Sequence, residues 1–173
     1  MRRSGGPNSE RRKTKERSES GQSLLELALA TPLLLVMVLG VIELGSYAYI
    51  AILVGNAARA GAAYGSQSLP QSVDRTGIQA AAENDFQNNG QNVSSLTVTS
   101  STSCGCDSAG TITGAGCTTD VNPTAGTCTS GHWVVMVAVT ASGTFNALFN
   151  FPGIPTSLSV SRTSTMRVAQ NGV

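Results

Sequence analysis

The chain has 173 residues, enough for one modest domain and an anchor but not for several domains. Only 12% of the residues are charged, and the formal net charge of +1 hides an uneven distribution. Residues 1–21 hold seven Lys/Arg against three Glu, whereas the remainder holds four Lys/Arg against seven acids. A basic N-terminus could bind nucleic acid, but no aromatic or foldable sequence accompanies it, so we expect no nucleic-acid partner.

Residues 1–21 are interpreted as a basic leader. Met1–Ser20 is polar and shows no periodicity that could bury a face, so we expect it to be disordered. An apolar run follows at once, and basic residues next to such a run are retained on the cytoplasmic side of a membrane.

The apolar run predicts a transmembrane helix, with the lipid bilayer as its partner. Leu24–Ile42 is 19 residues long with Glu26 as its single charge, and as a helix it would span about 28 Å, close to the thickness of the hydrocarbon core. Tyr47 and Tyr49 follow where interfacial aromatics are expected. Pro32 removes a backbone hydrogen bond inside the helix, so a kink is expected there.

The helix is expected to continue beyond the membrane, so that residues 22–68 form the anchor and its extension. Tyr47–Gly65 is rich in Ala, and Leu69-Pro70 ends the pattern. Small residues recur three and four apart and would form a stripe on one helix face, where another backbone can approach closely. The spacing suits a close partner in the same chain or in another one. The stripe consists of Ala48, Ala51, Gly55, Ala58, Ala62 and Gly65.

Residues 69–173 are expected to form an extracytoplasmic α+β domain. Ser72–Asn88 has the pattern of a short amphipathic second helix, which Asn89-Gly90 would stop. The pattern then becomes strand-like, which predicts a small antiparallel sheet. The strand segments lie at Leu96 and Val98, at Trp133–Ala141, suited to a central strand, and at Leu158–Val168.

Two connections between these strands are unusual. Ser100–Gly131 is a Gly/Thr/Cys-rich segment, expected to be a loop too long for a hairpin turn. Thr144–Pro155 brings together an apolar cluster that could dock a partner, although folding onto the sheet is the preferred interpretation. The cluster consists of Phe145, Leu148, Phe149 and Phe151.

Four cysteines, Cys104, Cys106, Cys117 and Cys128, all lie far beyond the apolar run, and therefore on the side of the membrane where disulfides persist. A metal cage would usually use CxxC pairs, which are absent, so two disulfides and no metal are expected. Three pairings are possible. We expect Cys104 and Cys106 to bond outward, to Cys117 and Cys128.

No arrangement of catalytic residues is evident in the sequence. His132 is the only histidine and precedes Trp133 at the start of a strand, where a structural role is more common than a catalytic one. No Ser/His/Asp group, phosphate-binding glycine loop or pair of carboxylates is apparent. We therefore expect neither enzyme activity nor a cofactor.

The junction between leader and helix carries the functional information. A secretory signal has its cleavage site after the apolar stretch, whereas here Gly21 precedes it, an arrangement that resembles a type IV prepilin. Such proteins are cut after the glycine by a prepilin peptidase, which would leave Gln22 at the new N-terminus. Glu26 inside the helix needs a partner. That partner could be the α-amino group of Gln22 in a neighbouring subunit, or Glu26 could reach the interface near Arg17.

The wider sequence resembles the TadE/TadG-like family, minor pseudopilins of the Tad (Flp) pilus. In order, it has Gly21, the Glu26-Leu27-Ala28 run, Pro32, an aliphatic run, Glu43 before Gly45, and an extension containing Ala58-Arg59-Ala60. The family usually has an aromatic residue where Leu27 lies here. The Cys-rich loop matches no family motif.

The resemblance implies a minor structural subunit of a Tad/Flp-type pilus or secretion apparatus in the bacterial inner membrane. Its implied partners are a prepilin peptidase and other pilins or Tad inner-membrane assembly proteins, and Glu26 and Pro32 would act in assembly. The alternative function is a bitopic periplasmic scaffold or binding protein that enters no filament. An anchored enzyme is the least favoured hypothesis.

Overall fold

The computed structural model describes residues 8–92, 95–114, 117, 128–149 and 155–169, with side chains from Gly21 onward. The chain forms two compact units, Met1–Leu44 and Gly45–Val173. In agreement with the predicted α+β class, the structure contains a long N-terminal apolar helix, short helices, and a four-stranded antiparallel sheet with two disulfides.

Helix α1 spans Asn8–Gly65. The expectation of a disordered leader is therefore wrong for residues 8–20, while the first seven residues lie outside the described part of the chain. The physical reason is that Arg, Lys and Glu are good helix formers that can extend an existing helix, and a single glycine such as Gly21 costs only about 1 kcal/mol in a helix interior. The helix also continues through Pro32, and the kink there stays a prediction.

The predicted second helix, Ser72–Asn88, is in fact two helices, α2 over Leu69–Val73 and α3 over Arg75–Asn88. Asp74 separates them because its backbone, with φ −77° and ψ 82°, leaves the helical region. Its side chain then caps α3 by accepting a hydrogen bond from the Gly77 N–H. The predicted end at Asn88 is confirmed.

The sheet has the order β2-β1-β3-β4, and all neighbouring strands are antiparallel. The central strand predicted at Trp133–Ala141 is β3, which is longer than expected and has neighbours on both sides. The strand predicted at Leu158–Val168 is β4. The bounds are β1 Leu96–Ser108, β2 Thr111–Gly114, β3 His132–Asn146 and β4 Ser157–Arg167.

The loop predicted over Ser100–Gly131 is wrong in its first part, because β1 continues to Ser108 and a tight turn leads into β2. Ala109 and Gly110 both have positive φ, 55° and 86°, as a two-residue hairpin turn requires. Asp107 accepts a hydrogen bond from the Gly110 N–H at 2.9 Å. Pairing with the long β3 strand holds this Ser/Thr/Cys-rich segment extended, from Leu96 opposite Gly143 to Asp107 opposite His132.

One face of the sheet is covered by α1 and α3. Buried β3 residues alternate along the strand and meet Val54, Ala57 and Ala62 of α1 and Phe86 of α3. The opposite face carries mainly Ser and Thr on β1 and β4. The buried residues of β3 on the covered face are Val135, Val137, Val139, Ala141 and Phe145.

Candidate functional site

The leader–helix junction lies within α1. Gly21, Gln22 and Glu26 are all exposed, and no atom lies within 4 Å of the place a side chain would occupy at Gly21. Helical geometry separates Gly21 and Glu26 by about 7.5 Å along the axis. The structure therefore presents both the predicted cleavage site and the carboxylate on an accessible helix segment.

The apolar run that follows is exposed over most of its length. Leu24, Leu29 and Leu33 are all about two-thirds exposed or more, at 68%, 72% and 66%. Among the described residues, one helix is long and apolar enough to cross a membrane, over Gly21–Gly65, and its most apolar window is not buried in the protein. Aliphatic surface of this extent is stable only against lipid or other protein. The helix is thus compatible with a single-pass membrane anchor.

The small-residue stripe on α1 turns largely toward the protein's own sheet. Ala58, Ala62 and Gly65 are buried, whereas Ala48 is exposed. A Cβ at Gly65 would lie 3.1 Å from Val137 Cγ2 and 3.0 Å from Ile78 Cδ1, so the helix backbone approaches β3 and α3 closely there. Gly55 and Ala51 are intermediate. The spacing allows a close partner either in the same chain or in another one. For the C-terminal half of the stripe, that partner is in the same chain.

The cysteines form two disulfides, Cys104–Cys117 and Cys106–Cys128, with Cα–Cα distances of 5.1 and 5.7 Å. Both bonds leave β1 outward, as predicted, and the two loops they close overlap in sequence. Cys104 is buried beside Val135 and Val137 in the core. The disulfides thus tie a long connection to the sheet.

An ion-pair group at the same end of the sheet was not predicted from the sequence. The Arg167 guanidinium donates to the Asp107 carboxylate, and this bond holds the pKa of Asp107 below its ordinary value. His132 Nε2 lies 3.7 Å from the same carboxylate, but the imidazole is 67% exposed. Arg167 and Asp107 are 60 residues apart and lie on the two strands that flank β3, so no local pattern indicates the pair.

A second polar contact joins α1 to the start of α3. The Tyr64 hydroxyl donates to Asp74 Oδ2 at 2.8 Å, and the Gly77 N–H donates to Oδ1 at 3.0 Å. The bond from Gly77 is the largest cause of the lowered pKa of Asp74, and the bond from Tyr64 is the second. The same bond to Asp74 raises the pKa of Tyr64. Both donors are engaged in holding the helices together, which indicates a stabilising role.

The apolar segment after β3 is divided between the core and the surface. Phe145 is buried, and its ring meets Tyr47 edge to face with centroids 5.7 Å apart. Leu148 and Phe149 remain 61% and 37% exposed. Phe151 lies outside the described residues. The preferred interpretation, folding onto the sheet, is therefore correct for Phe145 and wrong for Leu148.

Groups that could support catalysis or hold a metal are scarce in the described part of the chain. No three His, Cys, Asp or Glu side chains there come together as metal ligands. The four cysteines are all oxidised. The remaining candidate surfaces are the exposed apolar helix and the junction that precedes it.

A known protein family matches the N-terminal part of the chain. The family model described as TadE-like protein matches residues 21–63. No curated protein and no solved structure matches the chain. The matched segment begins at Gly21, contains the whole apolar run, and ends in the Ala-rich extension. Residues 21–63 therefore form a TadE-like segment, which confirms the family resemblance predicted from the sequence.

Proposed function

We propose that the chain is a minor pseudopilin-like structural subunit of a Tad/Flp-type pilus or secretion apparatus, anchored by its N-terminal helix and cleaved after Gly21. The observation that carries the proposal is the start of the TadE-like match at residue 21, a glycine within α1 that lies just before the exposed apolar run. Cleavage there would remove the basic leader and leave the entire anchor on the mature protein.

The proposed topology follows from charge and cysteine oxidation. The basic leader would remain in the bacterial cytoplasm, and residues 69–173 would lie in the periplasm or beyond. Two disulfides suit that oxidising compartment. Other pilins or Tad inner-membrane assembly proteins are the proposed partners, because the exposed apolar helix could pack against similar helices after leaving the bilayer.

Glu26 has a proposed role in assembly. A charged side chain at the centre of a membrane helix costs roughly 2.5–3.5 kcal/mol on insertion scales, and a carboxylate near the helix end, such as Glu26, costs less but still favours pairing with a positive group. Cleavage would create such a group at Gln22, and a neighbouring subunit's α-amino group could neutralise Glu26 and set the axial register. Glu26→Gln should then leave cleavage intact but reduce copurification with partner pilins, whereas Glu83→Gln, on α3 and outside the TadE-like segment, serves as the carboxylate control.

The direct test is the N-terminal sequence of the protein extracted from membranes of cells with an active prepilin peptidase. The mature chain should begin at Gln22, and deletion of the peptidase should restore a chain beginning at Met1. Gly21→Leu should block cleavage. Gly40→Leu is the matched control, since no atom lies within 4 Å of the place that a Cβ would occupy at either glycine.

The second candidate function is a bitopic periplasmic scaffold or binding protein. It is favoured by the burial of Ala58, Ala62 and Gly65 against the protein's own sheet, which leaves less of the helix for a filament partner. A chain that still begins at Met1 in peptidase-active cells would select this function and reject the pseudopilin.

A further inference from the structure

The end of the domain around Tyr47 is formed by α1 and by the hairpin that joins β3 to β4. The edge-to-face contact between Tyr47 and Phe145 places the end of β3 beside this part of α1. The Ala147 N–H donates to the Thr156 carbonyl at 2.8 Å, which closes the hairpin just beyond the paired strands. The hairpin and Tyr47 are therefore at the same end of the domain.

Three apolar side chains are exposed at this end, and we refer to them as the hairpin-end cluster. Leu148 is 61% exposed, Phe149 37% and Leu158 43%. Leu158 pairs with Phe145 across the two strands, so the cluster continues outward from the buried core. Exposed apolar groups that are grouped in this way mark a contact surface more often than isolated ones do.

The segments that meet at this end also lack charge. No Asp, Glu, Lys or Arg occurs in residues 44–58, 86–106 or 133–161. The charged residues that flank these segments are Glu43 and Arg59 on α1, Asp85 on α3, Asp107 on β1, and Arg162 on β4. Bringing this end close to lipid would therefore dehydrate no ionised side chain within the three segments.

Along the sequence, Tyr47 follows the last residue of the apolar run, Ile42, by five residues, or about 7.5 Å at helical rise. That distance corresponds to the interfacial layer of a bilayer whose hydrocarbon core holds the run, and Tyr is a residue that prefers this layer. The hairpin-end cluster thus lies near a helix segment that the proposed anchoring places at the membrane surface.

We propose that the hairpin-end cluster inserts into the interfacial region of the same bilayer that holds α1. The proposal rests on the anchoring part of the proposed function. The membrane then holds the domain at two places, the helix and the hairpin, and restricts its rotation about the helix. Because the three side chains of the cluster are apolar, the contact should persist at high ionic strength and in vesicles of purely zwitterionic lipid.

The test uses tryptophan variants of the full chain in phosphatidylcholine vesicles, with and without bromine atoms near the glycerol end of the acyl chains, which quench indole on contact. Leu148→Trp probes the cluster, and Val41→Trp probes the anchor, because Val41 is 69% exposed and lies at the end of the apolar run nearest Tyr47, at the depth of the bromine atoms. Ile112→Trp is the matched control, since Ile112 is also exposed, at 42%, but lies on β2. The wild-type chain has a single tryptophan, Trp133, which supplies the background emission.

Brominated lipid should remove most of the added emission of Leu148→Trp and Val41→Trp and little of that of Ile112→Trp, with the same result in 1 M salt. Quenching of Val41→Trp alone overturns the inference and leaves the anchor standing. No quenching of Val41→Trp overturns both. A third outcome is that bromine does not quench Leu148→Trp, while its emission shifts to the blue at high protein-to-lipid ratio. That result shows that a second copy covers the cluster, and it also overturns the inference.

Discussion

Asp74 is the residue on which three helices depend. It ends α2, caps α3 through the Gly77 N–H, and accepts the Tyr64 hydroxyl from α1. The two hydrogen bonds favour the ionised carboxylate, which is why its pKa is lowered. This single residue therefore determines where α2 ends and where α3 begins, and its carboxylate joins the start of α3 to α1.

The lowered pKa of Asp74 predicts a pH-dependent stability. A carboxylate with a lowered folded-state pKa stabilises the fold fully above its ordinary pKa, and this contribution is lost as pH falls through the lowered value. Asp74→Asn should therefore have a lower Tm than wild type at pH 7, and the gap should narrow in acid. Thermal unfolding followed by circular dichroism at a series of pH values, from neutral to strongly acidic, measures the gap.

The difference between wild type and Asp74→Asn isolates Asp74, since Asp107, whose pKa is lowered by Arg167, titrates in both. A Tm gap that stays constant down to the acid limit would show that Asp74 acts through packing and not through its charge.

Gly77 lies where no side chain fits. A Cβ there would collide with the Asp74 carboxylate and the Tyr64 hydroxyl, so Gly77→Ala must displace both partners. We expect it to destabilise the fold by about 1–3 kcal/mol, although alanine is the better helix former. Gly45→Ala is the control, because Gly45 is exposed with no atom nearby and should gain roughly 0.5–1 kcal/mol. Chemical denaturation in detergent micelles compares the two, and equal effects would contradict the steric argument.

Among the secondary-structure elements, the packing of α1 on β3 depends on small side chains. Ala62 is fully buried, and at the neighbouring Gly61 a Cβ would lie 3.1 Å from both Val139 Cγ1 and the Ile78 carbonyl. The helix and sheet therefore approach more closely than larger residues would permit. This close approach also brings Ile78 of α3 against both elements, so that all three contribute to one core cluster.

Adjacent residues on α1 provide a test of this packing. Ala62→Leu inserts three carbons into a filled core and should destabilise the domain by about 1–3 kcal/mol. Ala63→Leu adds the same atoms on the exposed side and should change stability by less than about 0.5 kcal/mol. The free energy of unfolding from urea titration of the full chain distinguishes them. A neutral Ala62→Leu would mean that α1 is not held against the sheet.

Across the molecule as a whole, the two disulfides connect segments that are distant in sequence. They close loops of 13 and 22 residues. The two loops overlap, so each disulfide also restricts the conformations of part of the loop that the other closes. The chain-entropy model makes the loss from removing a disulfide depend only weakly on loop length. Both bonds should therefore matter to a similar degree.

Replacing either pair with alanine, Cys104 with Cys117 or Cys106 with Cys128, should lower the free energy of unfolding by roughly 2–4 kcal/mol. The loop-length contribution differs between the pairs by only about 0.5 kcal/mol. Denaturation under non-reducing conditions measures the loss. The control is wild type with reductant, which should be less stable than either double variant, and a double variant as stable as wild type would contradict the prediction.

The features that depend on local pattern could be predicted from the amino-acid sequence without the fold. The apolar run, the basic charge of residues 1–21, the family resemblance of residues 21–63 and the α+β class are all encoded in hydropathy, charge and period over short stretches. The two disulfides and their outward bonding were also predictable, because close spacing makes a Cys104–Cys106 bond unfavourable and no CxxC pair competes.

The features that depend on distant partners required the complete fold. β1 extends to Ser108 because β3 pairs with it, and Asp107 meets Arg167 because the sheet places β1 and β4 on either side of β3. The stripe on α1 could have met another chain, and its burial against Val137 and Ile78 was settled by the sheet it covers. Periodicity specifies which side of an element is apolar, whereas the surface that covers that side is chosen by the energy of the whole fold.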